Sequence, residues 1–177
     1  MGNVEVEKLF DRLIREVPDY PTPGIMFKDI TPLLAEGPAF RTVVAALAEG
    51  PGAVDIDKVV GIEARGFILA APVAHQLGAG FVPVRKQGKL PWHTNEQSYD
   101  LEYGEATIAV HTDAFSPGDR VLIVDDVLAT GGTAAATVDL VQRGGAEVVG
   151  LAFLIELAFL KGRLRLGDLP AHVLVTC

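Results

Sequence analysis

Four apolar runs without polar alternation constrain this chain more than anything else in its sequence: Val59–Ile62, Phe81–Val84, Val121–Val124 and Val148–Ile155. A strand with one wet face alternates apolar and polar residues, whereas a strand apolar throughout is covered on both faces. Helix-patterned segments separate the runs: Pro38–Glu49, Gly66–Leu77 and Gly132–Arg143, the last stopped by Gly144 and Gly145. Strand and helix in turn predict a doubly wound α/β domain with a mainly parallel sheet. A strand near Thr107–His111, the turn Ser116–Asp119 and an apolar run at His172–Val175 complete the pattern. With 177 residues, 49% of them hydrophobic, there is material for one such domain and its core.

Two segments fall outside the alternation. In the N-terminal appendage, residues 1–34, Val4–Glu16 sets Val6, Leu9, Phe10, Leu13 and Ile14 at helical spacing. That predicts an amphipathic helix ending before Pro18. Val17–Leu34 then holds four prolines, which exclude a regular helix or a central strand. It also holds Ile25, Met26, Phe27 and Ile30, which a solvated linker would not need, so an ordered, packed loop is expected. The second segment, Lys86–Gly104, strings Trp92, His93, Asn95, Gln97 and Tyr99 together without a clean period. Its length and polarity predict an irregular, mobile lid.

Charge and cysteine content narrow the function classes. Fifteen Lys and Arg against 23 Asp and Glu leave a net charge of −8, which argues against broad binding to a nucleic-acid backbone. A small anionic substrate remains compatible, because a few local cations can hold one. The single cysteine, Cys177, allows no intrachain disulfide, and the histidines are too dispersed for a zinc site. Early charges rule against a signal peptide, and no apolar run reaches the roughly 18–20 residues of a membrane span. A cytoplasmic protein is expected.

In open α/β sheets ligands bind beyond the carboxyl ends of the strands. Two strand-to-helix turns here are chemically loaded. After Val121–Val124 come Asp125 and Asp126, then Ala129-Thr130-Gly131-Gly132-Thr133 opening a helix. Small residues let backbone N–H groups approach an anion, the helix N-terminus adds a favourable dipole, and the threonine hydroxyls add donors. This predicts a phosphate cradle, with the two carboxylates placed to accept from sugar hydroxyls or to organise a metal. No P-loop competes, since Gly88-Lys89 continues with leucine. The second turn is Gly61-Ile62-Glu63-Ala64-Arg65-Gly66, where Arg65 presents a planar fork to phosphate oxygens. Arg85, Lys86 and Lys89, after the next strand, add cations to the same expected anion pocket.

VLIVDDVLATGGT (Val121–Thr133) is similar to the phosphoribosyl-pyrophosphate motif of type I phosphoribosyltransferases. PDYPTPGIMFKDITPLL, GIEARGF, VPVRKQGKLP, YDLEYGEA and LIELAFLKGR extend the resemblance, in order, over most of the chain. They point to the branch of that family that works on adenine. The resemblance implies transfer of phosphoribosyl from phosphoribosyl pyrophosphate to adenine, giving AMP and pyrophosphate, in a homodimer that uses Mg²⁺ held mainly by substrate oxygens and water. It implies that Asp125 and Asp126 hold the ribose hydroxyls and that Ala129–Thr133 holds the 5′-phosphate. Pyrophosphate would lie against Glu63, Ala64 and Arg65, with Arg85, Lys86 and Lys89 as further partners, some of them from a neighbouring subunit. Phe27 and Leu157 would sandwich the purine while the backbone at Met26 and Lys28 reads its edge. Glu102 and Tyr103 would lie over the reacting centre, Glu102 as proton acceptor or lid anchor.

Two rival readings share these motifs. One is a phosphoribosyltransferase for xanthine or hypoxanthine, which would differ in the base-reading segment. The other is a non-catalytic regulator that senses the sugar pyrophosphate, which would carry a DNA-binding domain and a basic face.

Overall fold

The chain, a computed structural model, is described for residues 3–50, 52, 54–100 and 104–177. In chain order its strands are β1 (Arg15–Val17), β2 (Phe27–Asp29), β3 (Lys58–Ile62), β4 (Gly80–Lys86), β5 (Thr94–Asp100), β6 (Glu105–His111), β7 (Arg120–Leu128), β8 (Glu147–Glu156) and β9 (Ala171–Thr176). The helices are α1 (Asn3–Leu13), α2 (Thr31–Ala35), α3 (Gly37–Glu49), α4 (Arg65–Leu77) and α5 (Gly132–Arg143). One seven-stranded sheet runs β5-β6-β4-β3-β7-β8-β9. Its β4, β3, β7, β8 and β9 are mutually parallel, while β6 joins β4, and β5 joins β6, antiparallel.

The apolar runs form the centre of this sheet because both their faces are covered. Val59 of β3 and Leu122 and Val124 of β7 face a core closed by α1, α2, α3 and α4. Val60, Ile62, Val121 and Ile123 face a second core closed by α5. Every residue of Val121–Val124 is essentially inaccessible. Each fully buried Leu, Ile or Phe on these faces contributes about 1.5–3 kcal/mol of transfer free energy.

The appendage departs from its expected outline at one end. The helix stops at Leu13, and Arg15–Val17 pairs antiparallel with Phe27–Asp29, Val17 opposite Phe27. The prolines of residues 17–34 therefore keep it out of the central sheet but not out of a small ladder of its own. Ile30 and Leu33 are fully buried in the first core, which anchors the segment.

The stretch Lys86–Gly104 is the clearest correction. It is not irregular throughout: Thr94–Asp100 is a strand, paired in register with Glu105–His111 from Thr94 opposite His111 to Asp100 opposite Glu105. An edge strand needs backbone partners on one side only, so a polar segment such as TNEQSYD can form one without the apolar signature. Glu102 and Tyr103, between the two strands, lie outside the described residues. Among the described residues no helix is long and apolar enough to cross a membrane.

Candidate active site

β3 has β4 on one flank and β7 on the other, and the helices that follow β3 and β7 pack on opposite faces of the sheet. Their connecting turns leave in opposite directions and open a crevice at the carboxyl ends. Both chemically loaded turns of the sequence open into it. A cavity of about 320 Å³ lies there, within the range of small-molecule sites.

Its wall brings together most of the expected residues: Met26, Phe27 and Lys28, then Glu63, Ala64 and Arg65, Lys86, Asp125 and Asp126, Ala129 and Thr133, and Leu157. Thr130, Gly131 and Gly132 line a smaller cavity of about 70 Å³, which shares Asp125, Ala129 and Thr133 with the first. Gly131, at φ 79, turns the chain into α5, and no side chain caps that helix. Its first N–H groups are therefore left to face an anion. α4 likewise begins at Arg65 without a side-chain cap.

Arg85 and Lys89 do not line either cavity. Arg85 donates to Glu63 Oε2 at 3.2 Å and to the Lys89 carbonyl at 2.9 Å, so it braces two turns against each other. Burial disfavours the Glu63 charge, but the Lys86 N–H at 3.0 Å and the Arg85 guanidinium outweigh it and hold the carboxyl below its usual range. The cation expected to meet phosphate is committed to a carboxylate that the sequence places twenty-two positions away.

The acid pair is asymmetric. Asp126 is buried and forms an ion pair with Arg65, whose guanidinium also lies 5.1 Å from the centroid of the Phe27 ring. Tyr20 supports that ring edge-on at 5.1 Å. Asp125 Oδ1 accepts the Asp126 N–H at 2.9 Å. Burial, and then the neighbouring Asp126 charge, push the Asp125 carboxyl well above its usual range. Gly66 makes room for this carboxylate, since a Cβ there would stand 2.6 Å from Asp125 Oδ1.

Comparison with known proteins decides what this crevice belongs to. A family model for the phosphoribosyl transferase domain matches residues 34–165. An adenine phosphoribosyltransferase of Thermobifida fusca is 60% identical over 174 residues, 98% of this chain and 99% of that protein. The chain belongs to the adenine phosphoribosyltransferase family. The crystal structure of the Rhodothermus marinus member superimposes with a TM-score of 0.93 at 56% identity, covering 98% of this chain and 99% of that one. The Saccharomyces cerevisiae member, solved with adenine and an imino-altritol bisphosphate, gives 0.91 at 38% identity over 97% and 99% of the two chains. Members of this family form AMP and pyrophosphate from adenine and phosphoribosyl pyrophosphate in purine salvage.

Within this phosphoribosyltransferase fold, Tyr99 is the polar wall residue to which the sequence assigned no task. It projects from β5 into the main cavity, and its hydroxyl accepts from Thr133 Oγ1 at 3.0 Å. Its ring approaches Gly132, where a Cβ would stand 3.2 Å away. The period of two is visible only in the fold, where Asn95, Gln97 and Tyr99 are half-buried while Glu96, Ser98 and Asp100 are exposed; the polar sequence of this strand carries no matching alternation.

Proposed function

We propose that the crevice between β3 and β7 carries out phosphoribosyl transfer to adenine with a separate task for each wall. Asp125 and Asp126 accept from the ribose hydroxyls. Ala129–Thr133 and the uncapped start of α5 take the 5′-phosphate. Pyrophosphate lies at the second uncapped turn, Glu63-Ala64-Arg65, with Lys86 beside it; Arg85 and Lys89 brace that turn. Arg65 is paired with Asp126 and stacked on Phe27. A ribose hydroxyl or a purine arriving there exchanges partners with Arg65, and pyrophosphate offers the guanidinium a new anion.

Phe27 and Leu157 form the apolar platform for the base. The Lys28 ammonium is engaged by Glu16, which leaves the main chain of Met26 and Lys28 to read the purine edge. The wall offers two adjacent carboxylates, and among the described residues no group of three or more His, Cys, Asp or Glu could hold a metal. That donor set would fit Mg²⁺ carried in on phosphate oxygens and water, and Asp125 and Asp126 would be available to accept from its water shell. Such an ion would supply electrostatic stabilisation of the leaving group.

The bond from ribose C1 to the pyrophosphate oxygen breaks, and N9 of adenine attacks C1. Positive character develops on the sugar beside the acid pair, and negative charge develops on pyrophosphate beside Arg65 and Lys86. Glu102 takes the N9 proton or anchors the lid, with Tyr103 over the reacting centre, and closure of residues 86–104 keeps water from the electrophilic sugar. The enzyme works in the cytoplasm as a homodimer.

The observation that carries this reading is that one cavity joins the acid pair, the phosphate loop and an aromatic platform. The test is kcat/KM for adenine, hypoxanthine and guanine in one preparation. Hypoxanthine reverses the donor and acceptor that adenine offers at C6 and N1. Fixed main-chain groups cannot adapt to that reversal, so adenine should be preferred by about 10⁴–10⁵. Comparable values for adenine and hypoxanthine would refute the base-reading role of Met26 and Lys28.

A further inference from the structure

The chain passes a second time behind the phosphate loop. Gly162, at the start of the 3₁₀ turn Gly162–Leu166, is buried with its backbone against Ala129–Gly131. A Cβ on Gly162 would stand 2.1 Å from the Ala129 carbonyl oxygen and 2.8 Å from the Gly131 nitrogen. Reciprocally, a Cβ on Gly131 would stand 2.3 Å from the Gly162 carbonyl oxygen. All these neighbours are backbone atoms, so no side chain can rotate aside to admit a methyl group.

The segment that delivers Gly162 is fastened on both sides. The Leu157 N–H donates to the Leu128 carbonyl at 2.9 Å, just before the phosphate loop. Arg163 grips the buried Glu156 with bonds of 3.2 and 2.6 Å and the Ala171 carbonyl at 2.9 Å. Residues 156–163 thus form a strap. One end carries Leu157, in the main cavity wall, and the other forms the floor of the phosphate loop.

We propose that Gly162 is a positioning residue for the sugar phosphate, and that the Glu156–Arg163 strap fixes the phosphate loop relative to the base wall. This rests on the assignment of Ala129–Thr133 to the 5′-phosphate. A methyl group at 162 pushes Ala129–Gly131 into the cradle, and displacement of about 1 Å in a preorganised site costs on the order of a hundredfold.

The test titrates Gly162→Ala with ribose 5-phosphate and, separately, with pyrophosphate, which meets the turn after β3 rather than the loop after β7. The expected result is a loss of about tenfold or more for ribose 5-phosphate, with pyrophosphate affinity kept. KM for phosphoribosyl pyrophosphate should rise correspondingly, with KM for adenine moving less. Arg163→Lys loosens the strap without adding an atom behind the loop and should show the same split, smaller; it decides the matter if Gly162→Ala does not fold. Equal losses for both ligands, or none, would overturn the proposal. Thr133→Ala separates the two ideas: if it weakens ribose 5-phosphate and the strap variants do not, the strap fails while the loop assignment stands. If none of these variants affects ribose 5-phosphate, the assignment itself fails.

Discussion

Asp125→Asn should make the protein more stable and less able to hold its sugar substrate. Asp125 ends the apolar run of β7, and its Oδ1 accepts the Asp126 N–H at 2.9 Å. Burial first, and the Asp126 charge second, raise its pKa well above 3.8. Asparagine has the same shape, and its carbonyl oxygen can keep that hydrogen bond, so the substitution removes charge and little else. A carboxyl whose folded pKa lies above its unfolded one contributes stability below the unfolded value and loses it as pH rises through the folded value. As pH rises above about 4 the native protein bears a growing cost for holding that carboxyl against ionisation, and the variant bears none.

Each pH unit between the two pKa values corresponds to about 1.4 kcal/mol, and each kcal/mol moves Tm by about 2–4 °C in a chain of this size. Calorimetry with a chelator present should therefore place the variant's Tm above that of the native protein at about pH 8, with the gap closing toward about pH 4. Binding moves the other way. A hydrogen bond to a charged group is worth about 1.5–3 kcal/mol and to a neutral one about 0.5–1.5, so phosphoribosyl pyrophosphate should bind about tenfold more weakly. A Tm at about pH 8 equal to or below that of the native protein would refute the claim that charge burial sets the cost of Asp125.

Phe27→Ala should raise KM for adenine by the worth of a base–aromatic stack, about 1–3 kcal/mol, and by more than it changes KM for phosphoribosyl pyrophosphate; steady-state kinetics in both substrates checks it. Gly66→Ala places a Cβ 2.6 Å from Asp125 Oδ1 and 3.2 Å from the Val124 carbonyl. It should lower the unfolding free energy read from urea titration by an overpacking cost of about 1–3 kcal/mol. Asp57 is bound by the Arg120 side chain and N–H, which lower its pKa to about 2. Its contribution is present at neutral pH and lost as pH falls through that value, so Asp57→Asn should lower Tm near neutrality and converge with the native protein in strong acid.

What was legible in the sequence follows what acts locally. Val121–Val124 announces a strand covered on both faces, and Asp125 through Thr133 follows it directly, so strand, turn and helix start could be read together. β5 escaped because Thr94–Asp100 buries little and is held by the backbone of β6, which a polarity pattern does not record. Gly162 escaped for a related reason. Its task is to be absent of side chain where Ala129–Gly131 passes, and that meeting exists only in three dimensions.

The cations show a third limit. Sequence supplies the charges of Arg65, Arg85 and Lys28 but not their partners, and in the fold each has a carboxylate: Asp126, Glu63 and Glu16. The pocket is therefore not a bare basic patch waiting for phosphate. An anion that draws Arg65 away must offset the loss of its contacts with Asp126 and Phe27, and it leaves the buried Asp126 carboxylate in need of a new donor. Its affinity is consequently a difference between two sets of pairings, and adding cations to the pocket would strengthen binding less than counting charges implies. Under the proposed assignment the same exchange would couple the subsites, because an anion that draws the guanidinium away uncovers both the Asp126 carboxylate and the face of Phe27.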